Sequence, residues 1–373
     1  MKKMRKGTAL FLALCSLILL FAGCGKSASD AALSCGSVSI SRETYRYWLA
    51  TFKYYFVTHY EDLTDTTESW NRDLGDGRTA AEYLEDYTLQ YAKTMIGALM
   101  LFDEYKLKLD SSAVEEIDDT INEMIYYRYN DSKAAFNAAL MDTYGITVTD
   151  LREALLIEAK GSAVENYLYG DNGKELPTNE ELTAYYNAHY MRAGMVAVNT
   201  EFEYIKDLDG NYKFDDSGKA MTTDLNDEQK AEKRALAANI EERVKAGEDI
   251  LALTKEYAPE EYENYPDGYY FCPEDYTSYV NSGYTSQFMT AILQLKDGEV
   301  KTYEEDGMIY IVKRLPLIDG AYADKQNETQ FRNLQEYVIT EKYKAKIAEL
   351  IEDVTVSDYV RSLKAVDIKK GFI

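Results

Sequence analysis

No apolar run beyond residue 23 reaches the roughly 20 residues that a helix needs to cross a bilayer, which excludes a helical span in the body of this 373-residue chain. Histidine is nearly absent: His59 and His189 are the only two. The four cysteines show no CxxC spacing. That leaves no Cys/His cluster for a structural metal, and no metal or other cofactor is expected. The nucleophile motifs of hydrolases and the glycine-rich loop of phosphate binders are missing as well. Positive charge is short. Against 41 Lys and Arg stand 65 Asp and Glu, a net of −24, so the surface repels nucleic acid and anionic headgroups. Asp207-Leu208-Asp209-Gly210-Asn211 has the look of a calcium loop, but its glycine comes two positions early. Gly218 also stands where the bidentate glutamate belongs, so the segment reads as an acidic hairpin turn.

What is present begins at the N-terminus. Lys2, Lys3, Arg5 and Lys6 precede Ala9 to Ala22, fourteen residues that are apolar or nearly so. A charged start, a short apolar stretch and small residues are the marks of a secretory signal. The segment closes on Phe21-Ala22-Gly23-Cys24, which resembles the lipobox of bacterial lipoproteins. That resemblance implies cleavage before Cys24, lipid on its thiol and membrane attachment through that lipid. Loss of residues 1–23 leaves 37 basic and 65 acidic residues, a net of −28. Residues 24–35 read as a polar tether. Whether Cys35 and Cys272 pair is open.

From 36 to 176 the chain reads almost wholly helical. Ser41 caps a stripe of Tyr45, Trp48, Leu49, Phe52, Tyr55 and Phe56. A second helix covers 80–107, Ser111 caps a third, a fourth covers 133–144, and Thr149 caps a fifth to Tyr169. Another begins at Pro177-Thr178. After His189 the pattern changes to strand, hairpin, two helices and strand, with Asp209-Gly210 as the hairpin turn between Tyr204 and Tyr212. A short helix covers 286–295, a strand 308–315, and a last long helix 322–352. The expected fold class is α+β, mostly helical. Thirty-four tyrosines, many at helical spacing, suit half-buried positions with a wet hydroxyl.

Phe288-Met289-Thr290-Ala291-Ile292-Leu293-Gln294-Leu295-Lys296-Asp297-Gly298-Glu299-Val300 resembles the PrsA and SurA type of extracytoplasmic foldase. So do Lys245 to Asp249 and Asp306 to Lys313. In that family an inserted parvulin-type prolyl isomerase domain sits in a helical chaperone lobe made from both chain ends. The resemblance implies a helical lobe over 36–176, a parvulin-like domain with its linker helix over 177–317, and a C-terminal helix over 318–373 completing the lobe. It implies unfolded or partly folded exported polypeptides as partners. It also implies a proline pocket of Phe288, Tyr284, Met195 and Ile309. Met195 and Ile309 stand, by alignment, where active members carry histidines. An acidic position falls near Glu260. Isomerase activity is therefore expected to be weak or lost, and no catalytic residue is assigned. The alternative is a solute-binding lipoprotein of a transporter, which would need two lobes of repeated strand–helix units.

Overall fold

The computed structural model describes residues 31–371, apart from 61 and 76. Cys24, and with it the expected lipidation, lies outside the described residues. The chain divides into two compact units: one holds the N-terminal part to Leu176 together with Ile339 onward, the other Pro177–Val338.

The first unit opens with a hairpin of β1 (Ala31–Cys35) and β2 (Val38–Ser41). Residues 31–35, expected as part of a tether over 24–35, belong to a sheet instead. Ser41 accepts from the Thr44 amide and starts α1 (Arg42–His59), a cap of the kind worth about 1 kcal/mol. After a short α2 (Thr67–Trp70), α3 (Ala80–Glu104) begins with a capping box of Thr79 and Glu82. Ser111, expected to cap α4 (Ser112–Tyr129), makes no such bond; α5 (Lys133–Thr143) is capped by Ser132. For α6 (Val148–Tyr169) the cap is Thr147, boxed with Asp150, rather than Thr149. Asp150 is the residue that can answer back from three positions along, and this fixes the start at Thr147. Trp48, Leu49, Leu84, Ile96, Ile117, Phe136 and Leu140 fill the core between these helices.

The second unit starts with α7 (Asn179–His189), boxed by Thr178 and Glu181, and leads into the long strand β3 (Met191–Asn199). The expected Tyr204–Tyr212 hairpin is only its tip. The turn at 207–211 forms, but β4 (Phe202–Tyr204) pairs with β5 (Thr222–Asp224). Then come α8 (Asp227–Lys245), α9 (Ile250–Tyr257), α10 (Pro259–Asn264) and the short β6 (Tyr269–Phe271). The run α11 (Tyr276–Asn281), α12 (Ser286–Leu293), β7 (Val300–Glu305) and β8 (Met308–Leu315) completes the unit. Four strands form an antiparallel sheet in the order β6-β3-β8-β7. Gly194 lets α9 lie close on β3, since a Cβ there would sit 2.3 Å from Ile250 Cγ2.

The last long helix, α13 (Leu334–Leu350), starts twelve residues later than expected. Residues 321–327 form 3-10 turns instead, held by Asn327, whose Nδ2 donates to Asp267 at 3.1 Å. In the first unit, Ile347 of α13 packs with Leu101, Phe102 and Val164, reaching into a gap left by Gly97. β9 (Thr355–Val356) then pairs with β1, and α14 (Asp358–Ser362) follows. Lys53 of α1, only 3 % exposed, ties the C-terminal segment down. Its Nζ donates to the Ile368 carbonyl at 2.6 Å, pairs with Asp65 at 3.0 Å and sits over the Trp70 ring. The first unit thus has helices and one small antiparallel sheet, which is not the repeated strand–helix lobe a solute-binding protein would need. The molecule is α+β and mostly helical.

Candidate functional site

The central sheet of the second unit has two different faces, because side chains alternate along a strand. One face carries Val196 and Val198 from β3 and Ile309 and Ile311 from β8, closed over by Ala237, Ile240 and Val244 of α8 and Ile250 and Leu253 of α9. The other carries Met191, Ala193 and Met195 from β3, Tyr269 and Phe271 from β6, and Tyr310 and Val312 from β8, with Phe288, Met289 and Ile292 of α12 packed on it. Met195, Phe288 and Tyr284 therefore meet on one face. Ile309 does not. It lies under α8 and α9, and the β8 residue on the Phe288 face is Tyr310. In β8 both faces are apolar, so no polar alternation marked which residues point which way.

Phe288 is the centre of that second face. Thr285 caps α12 by accepting from the Phe288 amide at 3.2 Å, which sets the ring against the sheet. The ring is closed in on three sides. Tyr284 stacks on it with centroids 5.4 Å apart and planes 13° apart; Tyr303 meets it edge-on at 5.6 Å; Tyr310 tilts over it at 4.7 Å. Tyr303 and Tyr310 are a cross-strand pair of β7 and β8, so their spacing is held by the ladder. Phe288 is left 2 % exposed. Tyr284, Tyr303 and Tyr310 thus pack against the Phe288 ring at the place where the resemblance puts a proline pocket.

Open space lies beside β6, the edge strand. A cleft of about 280 Å³ is walled by the rings of Tyr265, Tyr269, Phe271, Tyr279 and Tyr284, with Asp275 and Arg332 among its polar residues. The main chain of the edge is not on offer there. Gln330 Oε1 accepts from the Tyr270 amide at 2.9 Å, and the Tyr279 hydroxyl accepts from the Cys272 amide at 3.0 Å. With those N–H groups satisfied, an incoming strand has little to pair with.

The chemistry available in the cleft is hydrogen bonding by neutral phenols. Burial pushes the Tyr269 hydroxyl well above its ordinary range, and its bond to the Glu261 carboxylate adds to this. Burial raises Tyr284 and Tyr310 too. Cys272 is buried, and desolvation, helped by its bond to Glu274 at 2.8 Å, holds the proton on its thiol. A protonated thiol is a poor nucleophile. Cys272 and Cys35 are both free thiols. His189 stacks on Tyr185 at 4.0 Å and places Nδ1 3.0 Å from Glu274; His59 ends α1, stacked on Tyr55. Glu260 bonds outward, accepting from the Tyr212 hydroxyl at 3.1 Å. No group of three or more potential metal ligands occurs among the described residues. Tyr303, Tyr310, Tyr269 and Glu261 were not singled out from the sequence. For the three tyrosines the only signal there is membership of a tyrosine-rich chain; Glu261 carries none beyond lying next to Glu260.

The class these features define is a mostly helical α+β protein with a four-stranded antiparallel sheet that carries one aromatic face. No family model matches the chain, and no curated protein matches it. Among solved structures it is similar to PrsA from Bacillus subtilis, at 19% identity over 78% of this chain and 91% of that one, with a TM-score of 0.22. It is similar to the foldase protein PrsA from Streptococcus pneumoniae, at 15% identity over 80% and 97% of the two chains, TM-score 0.22. It is also similar to the peptidylprolyl isomerase PrsA from Bacillus cereus, at 16% over 79% and 96%, TM-score 0.25. At TM-scores this low the likeness carries no functional argument, and the geometry has to.

Proposed function

We propose that this chain is an extracytoplasmic chaperone of the foldase type, held to a membrane by lipid on Cys24, with prolyl isomerase activity that is weak or absent. Its partners are unfolded or partly folded exported polypeptides. Support comes from the four-stranded sheet inserted between segments of a helical unit that contains both chain ends, and from a net charge that keeps complexes with sticky partners soluble.

The observation that carries the loss of activity is the closure of Phe288. Rotation about an X–Pro bond faces about 18–20 kcal/mol and needs no covalent intermediate. An enzyme speeds it by binding the twisted amide better than either planar form. That takes a hole for the proline ring and polar groups near the carbonyl. Here Tyr284, Tyr303 and Tyr310 occupy the hole, and Met195 brings no polar group to it. The tyrosines that remain can donate one hydrogen bond each, at any physiological pH. Such a face holds a peptide without turning it over.

Two assays on the purified protein test the reading. It should suppress aggregation of a chemically denatured test protein at near-stoichiometric ratio, and failure there removes the chaperone assignment. On an X–Pro peptide it should leave the isomerisation rate within about tenfold of the uncatalysed one, which is tens to hundreds of seconds. A rate like that of an active parvulin refutes the second half.

A further inference from the structure

The first unit carries an exposed aromatic patch where the end of α1 meets the start of α3. Tyr55, Tyr60, Leu74, Tyr83 and Tyr87 are each between 37 % and 52 % exposed. They cluster around Phe56, whose ring lies 5.3 Å from Tyr60, 5.9 Å from Tyr83 and 5.6 Å from Tyr87. In their midst is a cavity of about 200 Å³ lined by Phe56, Tyr60, Leu63, Leu74, Ala80 and Tyr83, with Arg72 at its edge. Small-molecule sites run from about 300 Å³ upward, so this one suits a single large side chain. Its floor is fixed: Lys53, three residues before Phe56, holds the following loop through Asp65.

The charge around it selects what comes with that side chain. Among the described residues of 60–87, seven are acidic and two basic; Asp65 pairs with Lys53 and Glu85 with Lys364, which leaves a net of −3. One of the two bases is engaged locally, since Arg78 lies over the Tyr83 ring and 3.9 Å from Asp86. An apolar hole within an acidic field complements an apolar anchor with positive neighbours. We infer that this pocket is a docking site for extended polypeptide segments in which a large aromatic or aliphatic side chain is flanked by lysine or arginine. The inference rests on the chaperone reading and gives it a site and a sequence preference. Tyrosine is well suited to such a rim, offering wide contact area at little conformational cost.

The test uses the full mature chain and two fluorescent peptides, each with a central phenylalanine, one flanked by lysines and one by glutamates. By anisotropy the lysine peptide should bind at least about tenfold tighter, a difference of about 1.4 kcal/mol, and added salt should shrink that gap. Leu74→Ser and Tyr60→Ser, both at exposed positions, should each weaken the lysine peptide about tenfold while leaving the thermal midpoint unchanged. Equal affinity for both peptides, or unchanged affinity in both variants, overturns the inference. A wild-type dimer that becomes monomeric in Leu74→Ser also overturns it, in favour of a second copy on the patch. Aggregation suppression is measured in parallel. If the wild type suppresses aggregation and the variants bind peptide normally, only the pocket is wrong; if the wild type does neither, the chaperone reading fails with it.

Discussion

Glu158→Gln should remove a large pH dependence from the stability of the first unit. Glu158 lies on α6, and the Trp48 indole N–H donates to its Oε1 at 2.6 Å. Burial pushes the carboxyl from its ordinary 4.5 up to about 7, opposed by that indole bond. Tyr47 and Tyr91 are held above their ordinary range chiefly by desolvation, and the Glu158 carboxyl adds to it. The sign follows from linkage. Between pH 4.5 and about 7 the folded protein keeps the proton on Glu158 and the unfolded chain gives it up. The stabilisation is complete below the unfolded value and is lost as pH rises through the folded one. A shift of this size is worth about 3 kcal/mol at 1.36 kcal/mol per pH unit; part of the side chain reaches solvent, so about 2 kcal/mol is a safer floor. Glutamine keeps an acceptor for Trp48 and cannot titrate. The assay is denaturant unfolding of both proteins at several points from about pH 5 to pH 8, followed by tryptophan fluorescence. Every other titrating group cancels in the difference between the two. The variant should gain on the wild type by about 2–3 kcal/mol across that window. A difference that stays flat to within about 0.5 kcal/mol refutes the buried carboxyl.

Three further outcomes can be checked on purified variants. Lys53→Met leaves the exposed Asp65 with the Trp70 indole N–H at 2.9 Å and removes the donor to the Ile368 carbonyl; it should cost about 1.5–3 kcal/mol in chemical unfolding, the worth of a hydrogen bond to a charged group. Gly194→Ala drives a methyl to within 2.3 Å of Ile250, so it should cost about 1–3 kcal/mol by overpacking, read as a lowered thermal midpoint. Gln330→Ala leaves the Tyr270 amide without its acceptor at the sheet edge. It should cost about 1–2 kcal/mol and speed amide exchange at Tyr270, measured by NMR.

Local signals account for much of the helical part. The stripe from Tyr45 to Phe56 and its Ser41 cap are visible because a helix brings residues three and four apart onto one face, and a cap is made by neighbours. The apolar spacing of α3 and the start of α7 at Thr178 are visible in the same way. Errors appear where two residues compete for one role: Thr147 and Thr149 both suit an N-cap, and only Asp150 decides between them. The early start assigned to α13 has a similar origin. Residues 321–327 have helical composition, but Asn327 and Gln326 spend their side chains on Asp267, which is distant in sequence.

The sequence by itself determined the acidic composition, the helices and the presence of strands after His189. Those follow from composition and from spacing within a few residues. Tertiary structure alone decided which way β8 turns, putting Tyr310 rather than Ile309 against Phe288, because a strand apolar on both faces carries no mark of its register. It decided that Phe288 is covered, since Tyr284, Tyr303 and Tyr310 come from a loop and two strands. It decided too that β1 pairs with β9 across more than three hundred residues. No short-range pattern encodes such a contact; it exists because burying Leu33 and Val356 side by side in one core excludes more apolar surface from water than either strand could alone.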